Sequence, residues 1–196
     1  MLEGKNFEEI EWCNFRWFHP ESKKKRVLLL GDSITLGYSE MVRRNLENLA
    51  DISYLATSRA LDMEEYVEEI KYVVKDYQID VVHINNGLHG WHLDIENYQR
   101  CLEHVIEEVK KMLPDTQIIW ATTTQYYVEE FPERTEQVKE RNRVSVELMN
   151  RLNIPVNPLY ETTENRRDLL TDGIHYQEEG YKILAEQVAG MLEKYL

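Results

Sequence analysis

Short apolar runs rich in β-branched residues recur along the chain: "RVLLLG" (26–31), "DISYLA" (51–56), "IDVVHIN" (79–85), "TQIIWATT" (116–123) and "IPVNP" (154–158). Each is too short for a helix and reads as a buried strand. Between them the spacing changes to three and four. In residues 61–77, Met63, Tyr66, Val67, Ile70, Val73, Val74 and Tyr77 share one helical face, and the opposite face is charged. Residues 93–113 repeat the pattern with Ile95, Tyr98, Leu102, Val105, Ile106, Val109 and Met112, and Pro114 stops the helix. Residues 134–152 and 177–195 supply two more helical stretches, and a further one is expected from about Tyr38.

Strands that alternate with helices, and are apolar throughout, predict an α/β fold: a three-layer, doubly wound, five-stranded parallel sheet with helices on both faces. Ligands of such sheets bind beyond the carboxyl ends of the strands, where strand order reverses. The segments to inspect are therefore 31–39, 57–62, 86–93, 123–133 and 158–176. No repeat, linker or low-complexity segment interrupts this plan. Residues 1–25, with Trp12, Phe15, Trp17 and Phe18, read as an N-terminal extension over apolar surface, with an aromatic patch for a partner as the alternative. Residues 26–196 form the domain proper.

Composition narrows the function classes. With 23 Lys and Arg against 36 Asp and Glu, the chain carries a formal charge of −13, which disfavours nucleic acid and anionic membranes as partners. The one basic run, Lys23 to Arg26, reads as a solvated strand edge. No stretch has the form of a signal peptide or a membrane span, so a cytoplasmic location is the expectation. Cys13 and Cys101 are too few and too unpatterned for a disulfide framework.

Two motifs carry chemistry. In "GDS" (31–33) a serine follows the first strand at once, with Gly31 permitting the turn and an oncoming helix N-terminus whose free N–H groups favour negative charge. A hydroxyl is a weak nucleophile and needs a base. "TDGIHYQEEGY" (171–181) offers one, since Asp172 and His175 lie three apart before the last helix, close enough for the carboxylate to orient the imidazole. Taken singly, Asp172 is an ordinary turn acid and His175 a surface histidine; the pair of motifs carries the argument.

Strand-GDS-helix near one end and DGxH before the terminal helix resemble the SGNH (GDSL) hydrolase family, in element order from residue 26 to the end. The resemblance implies a flavodoxin-like hydrolase fold with Ser33 as nucleophile, His175 as general base and acid, and Asp172 as the orienting carboxylate, with no cofactor. The middle motifs depart from the family pattern. Its third block, GxND, falls on Gly87-Leu88-His89-Gly90, so His89 stands where an oxyanion-hole asparagine is usual, with Asn85 and Asn86 as rivals and Asn86 the nearer. An imidazole N–H can donate to an oxyanion as an amide does. The second block normally has a glycine, but "LATSRALD" (55–62) has none; the N–H of Ser58 or Arg59 could serve, or Arg59 could pair with Asp62 or an acidic helix.

Asp32, Trp91 and Tyr126 are candidates to contact substrate, with core or lid packing as the plainer role for the aromatics, including Tyr127, Tyr160 and Tyr176. His89-x-x-His92, with His83 nearby, has a zinc-like spacing but lacks a third ligand, and no metal is expected. The function expected is serine-dependent hydrolysis of a carboxylic ester on a small-molecule substrate, with a small acyl group such as acetyl on a carbohydrate favoured. The alternative is a catalytically impaired acyl-glycan binding module. Oligomeric state is not legible in the sequence.

Overall fold

The computed structural model describes residues 7–196. Its elements in chain order are β1 (Cys13–Arg16), β2 (Lys25–Gly31), α1 (Ser33–Asn45), β3 (Ala50–Thr57), α2 (Glu64–Val74), β4 (Val81–Ile84), α3 (Ile95–Met112), β5 (Gln117–Ala121), α4 (Glu133–Arg151), β6 (Val156–Asn157), α5 (Leu159–Thr162) and α6 (Glu178–Leu192). Among the described residues one sheet runs in the order β1-β3-β2-β4-β5-β6. The five predicted strands are all present and parallel to their neighbours. A sixth, β1, pairs antiparallel with β3, setting Cys13 opposite Thr57 and Arg16 opposite Tyr54. It escaped the pattern because its alternation, Cys13 and Phe15 against Asn14 and Arg16, lasts only four residues, all of them exposed.

Alternate residues of each strand serve opposite layers. Val27 and Leu29 of β2, with Ile52 and Tyr54 of β3, pack against Ile34, Tyr38 and Val42 of α1 and Leu184, Ala185 and Val188 of α6. Leu28 and Leu30, with Val82 and Ile84 of β4, face Tyr66 and Ile70 of α2, Leu102, Val105 and Ile106 of α3, and Val144 and Leu148 of α4. Strands buried on both faces this way cannot alternate with polar residues, which explains their continuous apolar character.

The chain leaves β2 for β3 on one side and then crosses to β4 on the other, so strand order reverses beside β2. The crevice of this fold therefore opens at the carboxyl end of β2, where Gly31 hands over to α1. That helix begins at Ser33 itself, five residues before the point the periodicity indicated. Asp32 is its N-cap, the side-chain Oδ1 accepting from the Ile34 N–H at 2.9 Å. A cap signal, not an apolar stripe, sets the start.

Gly31 also has a different reason from the one expected. Its φ is not positive, but a Cβ there would fall 2.0 Å from Thr35 Oγ1. The glycine makes room for the first turn of α1 against the end of β2. Residues 12–18 run along the β3 edge, with Trp12 and Phe18 on one core and Trp17 on the other, where its ring lies 4.1 Å from that of Tyr77.

Candidate active site

Ser33 is the first residue of α1, so its hydroxyl and backbone N–H both stand at the helix N-terminus, just beyond the carboxyl end of β2. The N–H is one of the four that a helix leaves unbonded, and it has no partner among the described residues. Ser33 Oγ lies 2.8 Å from His175 Nε2, across 142 residues of sequence. His175 Nδ1 lies 2.8 Å from Asp172 Oδ2. An Nδ1–H donated to the carboxylate fixes the tautomer in which Nε2 keeps its lone pair and accepts from the serine hydroxyl.

The loop that brings His175 there is stapled to itself. Asp172 Oδ1 accepts the N–H groups of His175 and Ile174 at 2.8 and 3.0 Å, and the Thr171 N–H donates to the His175 carbonyl at 2.8 Å. Gly173 takes φ +87°, the left-handed region, and its carbonyl accepts the Tyr127 N–H at 2.7 Å, which docks the turn on the loop after β5. Partial burial raises the Asp172 carboxyl, but the two N–H groups and the imidazole outweigh it and hold its pKa below the usual carboxylate value. It stays ionised when an imidazolium forms beside it.

The other sequence candidates fare differently. Asp32 is fully buried as the α1 cap and cannot touch a substrate, which corrects its assignment to substrate binding. Tyr126 is 2% exposed with its hydroxyl accepting from Arg134 at 3.3 Å, so it too is core and not a stacking platform. Trp91 is half-buried, its ring 5.1 Å from that of Tyr126 and 4.7 and 4.9 Å from the guanidinium carbons of Arg134 and Arg141. Tyr176 is buried against Thr163, while Tyr127 carries the Arg167 guanidinium over its ring at 3.9 Å.

The loop after β3 is committed elsewhere. The Ser58 N–H donates to the Trp12 carbonyl at 3.0 Å, which removes it from the oxyanion candidates. The Arg59 N–H makes a long contact with Thr57 Oγ1 at 3.3 Å, and its guanidinium bridges Glu11 and Glu69 at 3.1 and 3.2 Å, so that of the two expected partners it takes the acidic helix α2 and not Asp62. Asn86 is buried and its amide donates to the Arg59 carbonyl at 2.9 Å, tying the loops after β3 and β4 together and leaving it unsuited to reach a substrate. His89 remains, its side chain 12% exposed and its Nδ1 2.7 Å from Glu8 Oε1.

The three histidines of the zinc-like spacing are dispersed. His83 is inside β4, bonded to Asn157 at 3.0 Å and driven by burial down to about 4, hence neutral; His92 pairs with Asp62 at 2.8 Å. Among the described residues no group of three or more His, Cys, Asp or Glu is placed to hold a metal ion.

Sequence reading missed Arg141 altogether. It is 2% exposed in α4, with Nη1 donating to the carbonyls of Gly87 and His89 at 3.0 and 2.8 Å and Nη2 to that of Gly90 at 2.7 Å. Its neighbour Asn142 clasps the Thr123 backbone, accepting its N–H at 2.7 Å and donating to its carbonyl at 2.9 Å. Together they fix the loops after β4 and β5. The available signal was positional: 138, 141, 142, 145, 148 and 149 follow the three-and-four step of a buried stripe, with polar residues at 141, 142 and 145.

A serine at the strand-to-helix turn, facing an imidazole and carboxylate from the last loop of a doubly wound sheet, defines the SGNH (GDSL) hydrolase fold. Solved structures agree. The chain is similar to a GDSL-like lipase from Bacteroides thetaiotaomicron (TM-score 0.71, 18% identity, 89% of this chain and 90% of that one). It is also similar to the lipase/acylhydrolase from Enterococcus faecalis (TM-score 0.70, 22% identity, 87% and 96%). A third likeness is to an acetyl-xylooligosaccharide esterase from Geobacillus (TM-score 0.68, 17% identity, 84% and 92%). No protein-family model and no curated protein matches the chain.

Proposed function

We propose that this protein hydrolyses a carboxylic ester through an acyl-enzyme on Ser33. The observation that carries the reading is the unbroken line from Ser33 Oγ to His175 to Asp172, with both hydrogen bonds at 2.8 Å. As Oγ attacks the ester carbonyl, Nε2 takes the hydroxyl proton and Asp172 stabilises the imidazolium. The tetrahedral intermediate places its negative charge by the free Ser33 N–H, where the N-terminus of α1 adds its dipole. The imidazolium then returns the proton to the departing alcohol. Water, deprotonated by the same nitrogen, attacks the acyl carbon, and collapse expels the carboxylic acid and restores Ser33.

A small acyl group, acetyl on a carbohydrate, is the substrate class we favour. Its support is the likeness in fold to an acetyl xylan esterase and an acetyl-xylooligosaccharide esterase. A binding module without turnover finds no support in the geometry, since nucleophile, base and carboxylate are in register.

Chromogenic acetyl and butyryl esters test the reading. Wild type is expected to turn both over, acetyl faster, and Ser33→Ala to lose turnover while keeping its fold by circular dichroism. Activity that survives in Ser33→Ala would remove the mechanism, and none in either protein would promote the binding module.

A further inference from the structure

Two departures from the family pattern, no glycine after β3 and a histidine after β4, meet in one place: the N-terminal segment. The loop after β3 anchors that segment. Trp12 exchanges contacts with Ser58, giving its N–H to Ser58 Oγ at 2.8 Å and accepting the Ser58 N–H at 3.0 Å. Glu11 accepts from Ser58 Oγ at 2.7 Å, pairs with Arg59, and also accepts the Glu8 N–H at 2.9 Å. These contacts set Glu8 over the loop after β4, with its carboxylate 2.7 Å from His89 Nδ1.

The proton count at His89 follows from this contact. A neutral ring that gives its Nδ1–H to a carboxylate presents a bare lone pair at Nε2, which repels an oxyanion. Only the imidazolium carries an N–H on both nitrogens. Three charged groups bear on the ring: Glu8 and Glu11 from the N-terminal segment and Asp32 at the β2–α1 junction, while Arg141 of α4 bonds the His89 main-chain carbonyl and not the ring. Burial works against the charged ring, but Glu8, Asp32 and Glu11 prevail, and the pKa of His89 lies above that of a free imidazole.

We propose that Glu8 is a positioning residue that holds His89 as an imidazolium, whose Nε2–H serves as a charged oxyanion donor in place of the usual asparagine amide. The proposal rests on the ester-hydrolase reading above. It makes the N-terminal segment part of the catalytic apparatus without contact between Glu8 and the substrate. It also predicts an alkaline limit: a group held protonated supports turnover below its pKa and loses that support as pH rises through it, here above 6.5.

The test combines an NMR titration of the His89 ring, assigned by His89→Asn, with kcat and KM against pH for wild type, Glu8→Gln and His89→Asn on the chromogenic acetyl ester. Glu8→Gln is expected to lower the His89 pKa, move the alkaline limb of kcat to lower pH by the same interval, and reduce kcat above that limb by up to about 100-fold with KM nearly unchanged. His89→Asn is expected to abolish the limb, because an amide does not titrate there. An unchanged His89 pKa in Glu8→Gln overturns the proposal whether or not the enzyme turns over. A wild-type limb that persists in His89→Asn overturns the donor role, whereas turnover that persists in Ser33→Ala overturns the hydrolase reading instead.

Discussion

Replacing His175 by alanine is expected to lower kcat on the order of 10⁶-fold, the scale seen when the general base of a serine hydrolase is removed, with KM changed by no more than a few fold. The size follows from the absence of a substitute. The only titratable side chain bonded to Ser33 Oγ among the described residues is His175, at 2.8 Å, and without it the hydroxyl proton has nowhere to go as the carbonyl is attacked. His175 is 40% exposed and sits on a turn held by backbone bonds of its own, so the loss should appear in turnover and not in stability. Steady-state kinetics alongside a thermal melt separates the two, and a fall of tenfold or less would place the base elsewhere.

The second large effect is on stability. Arg141→Met is expected to cost about 3 kcal/mol, because it strips the hydrogen bonds from three carbonyls, Gly87, His89 and Gly90, at roughly 1–3 kcal/mol for each group left buried and unsatisfied. Relief of a desolvated charge offsets part of the sum: burial holds the Arg141 pKa below its ordinary value. Urea denaturation followed by tryptophan fluorescence reads the change. Arg143→Ala, two residues on, removes only solvent-exposed pairs with Glu140 and Glu147 and should leave the midpoint nearly in place. Equal effects at 141 and 143 would show that the three carbonyls are not held as described.

Those two arginines show what the sequence could and could not reveal. The five parallel strands were legible because burial on both faces leaves a continuous apolar signature, and the long helices because burial on one face repeats at three- and four-residue steps. Arg141 was not, since a charged residue in a charged helix reads as solvent face; only its step from Val138 to Leu148 betrays a place on the buried stripe. β1 carries an alternation only four residues long, too short to separate from a loop, and the start of α1 is written in a cap, Asp32, whose place in GDS equally suits contact with a substrate. The juxtaposition of Ser33 and His175 came from a resemblance carried by two short motifs, not from periodicity. The Glu8–His89 contact spans 81 positions and depends on where a short edge strand docks, a matter of tertiary packing that no local pattern encodes.

Under the proposed mechanism Ser33 is a nucleophile activated by His175. Incubation with a fluorophosphonate ester, followed by peptide mass analysis, tests it most directly. One covalent adduct is expected, on Ser33, absent from Ser33→Ala and formed far more slowly in His175→Ala. An adduct on another residue, or a protein that hydrolyses esters yet leaves Ser33 unlabelled, would contradict it.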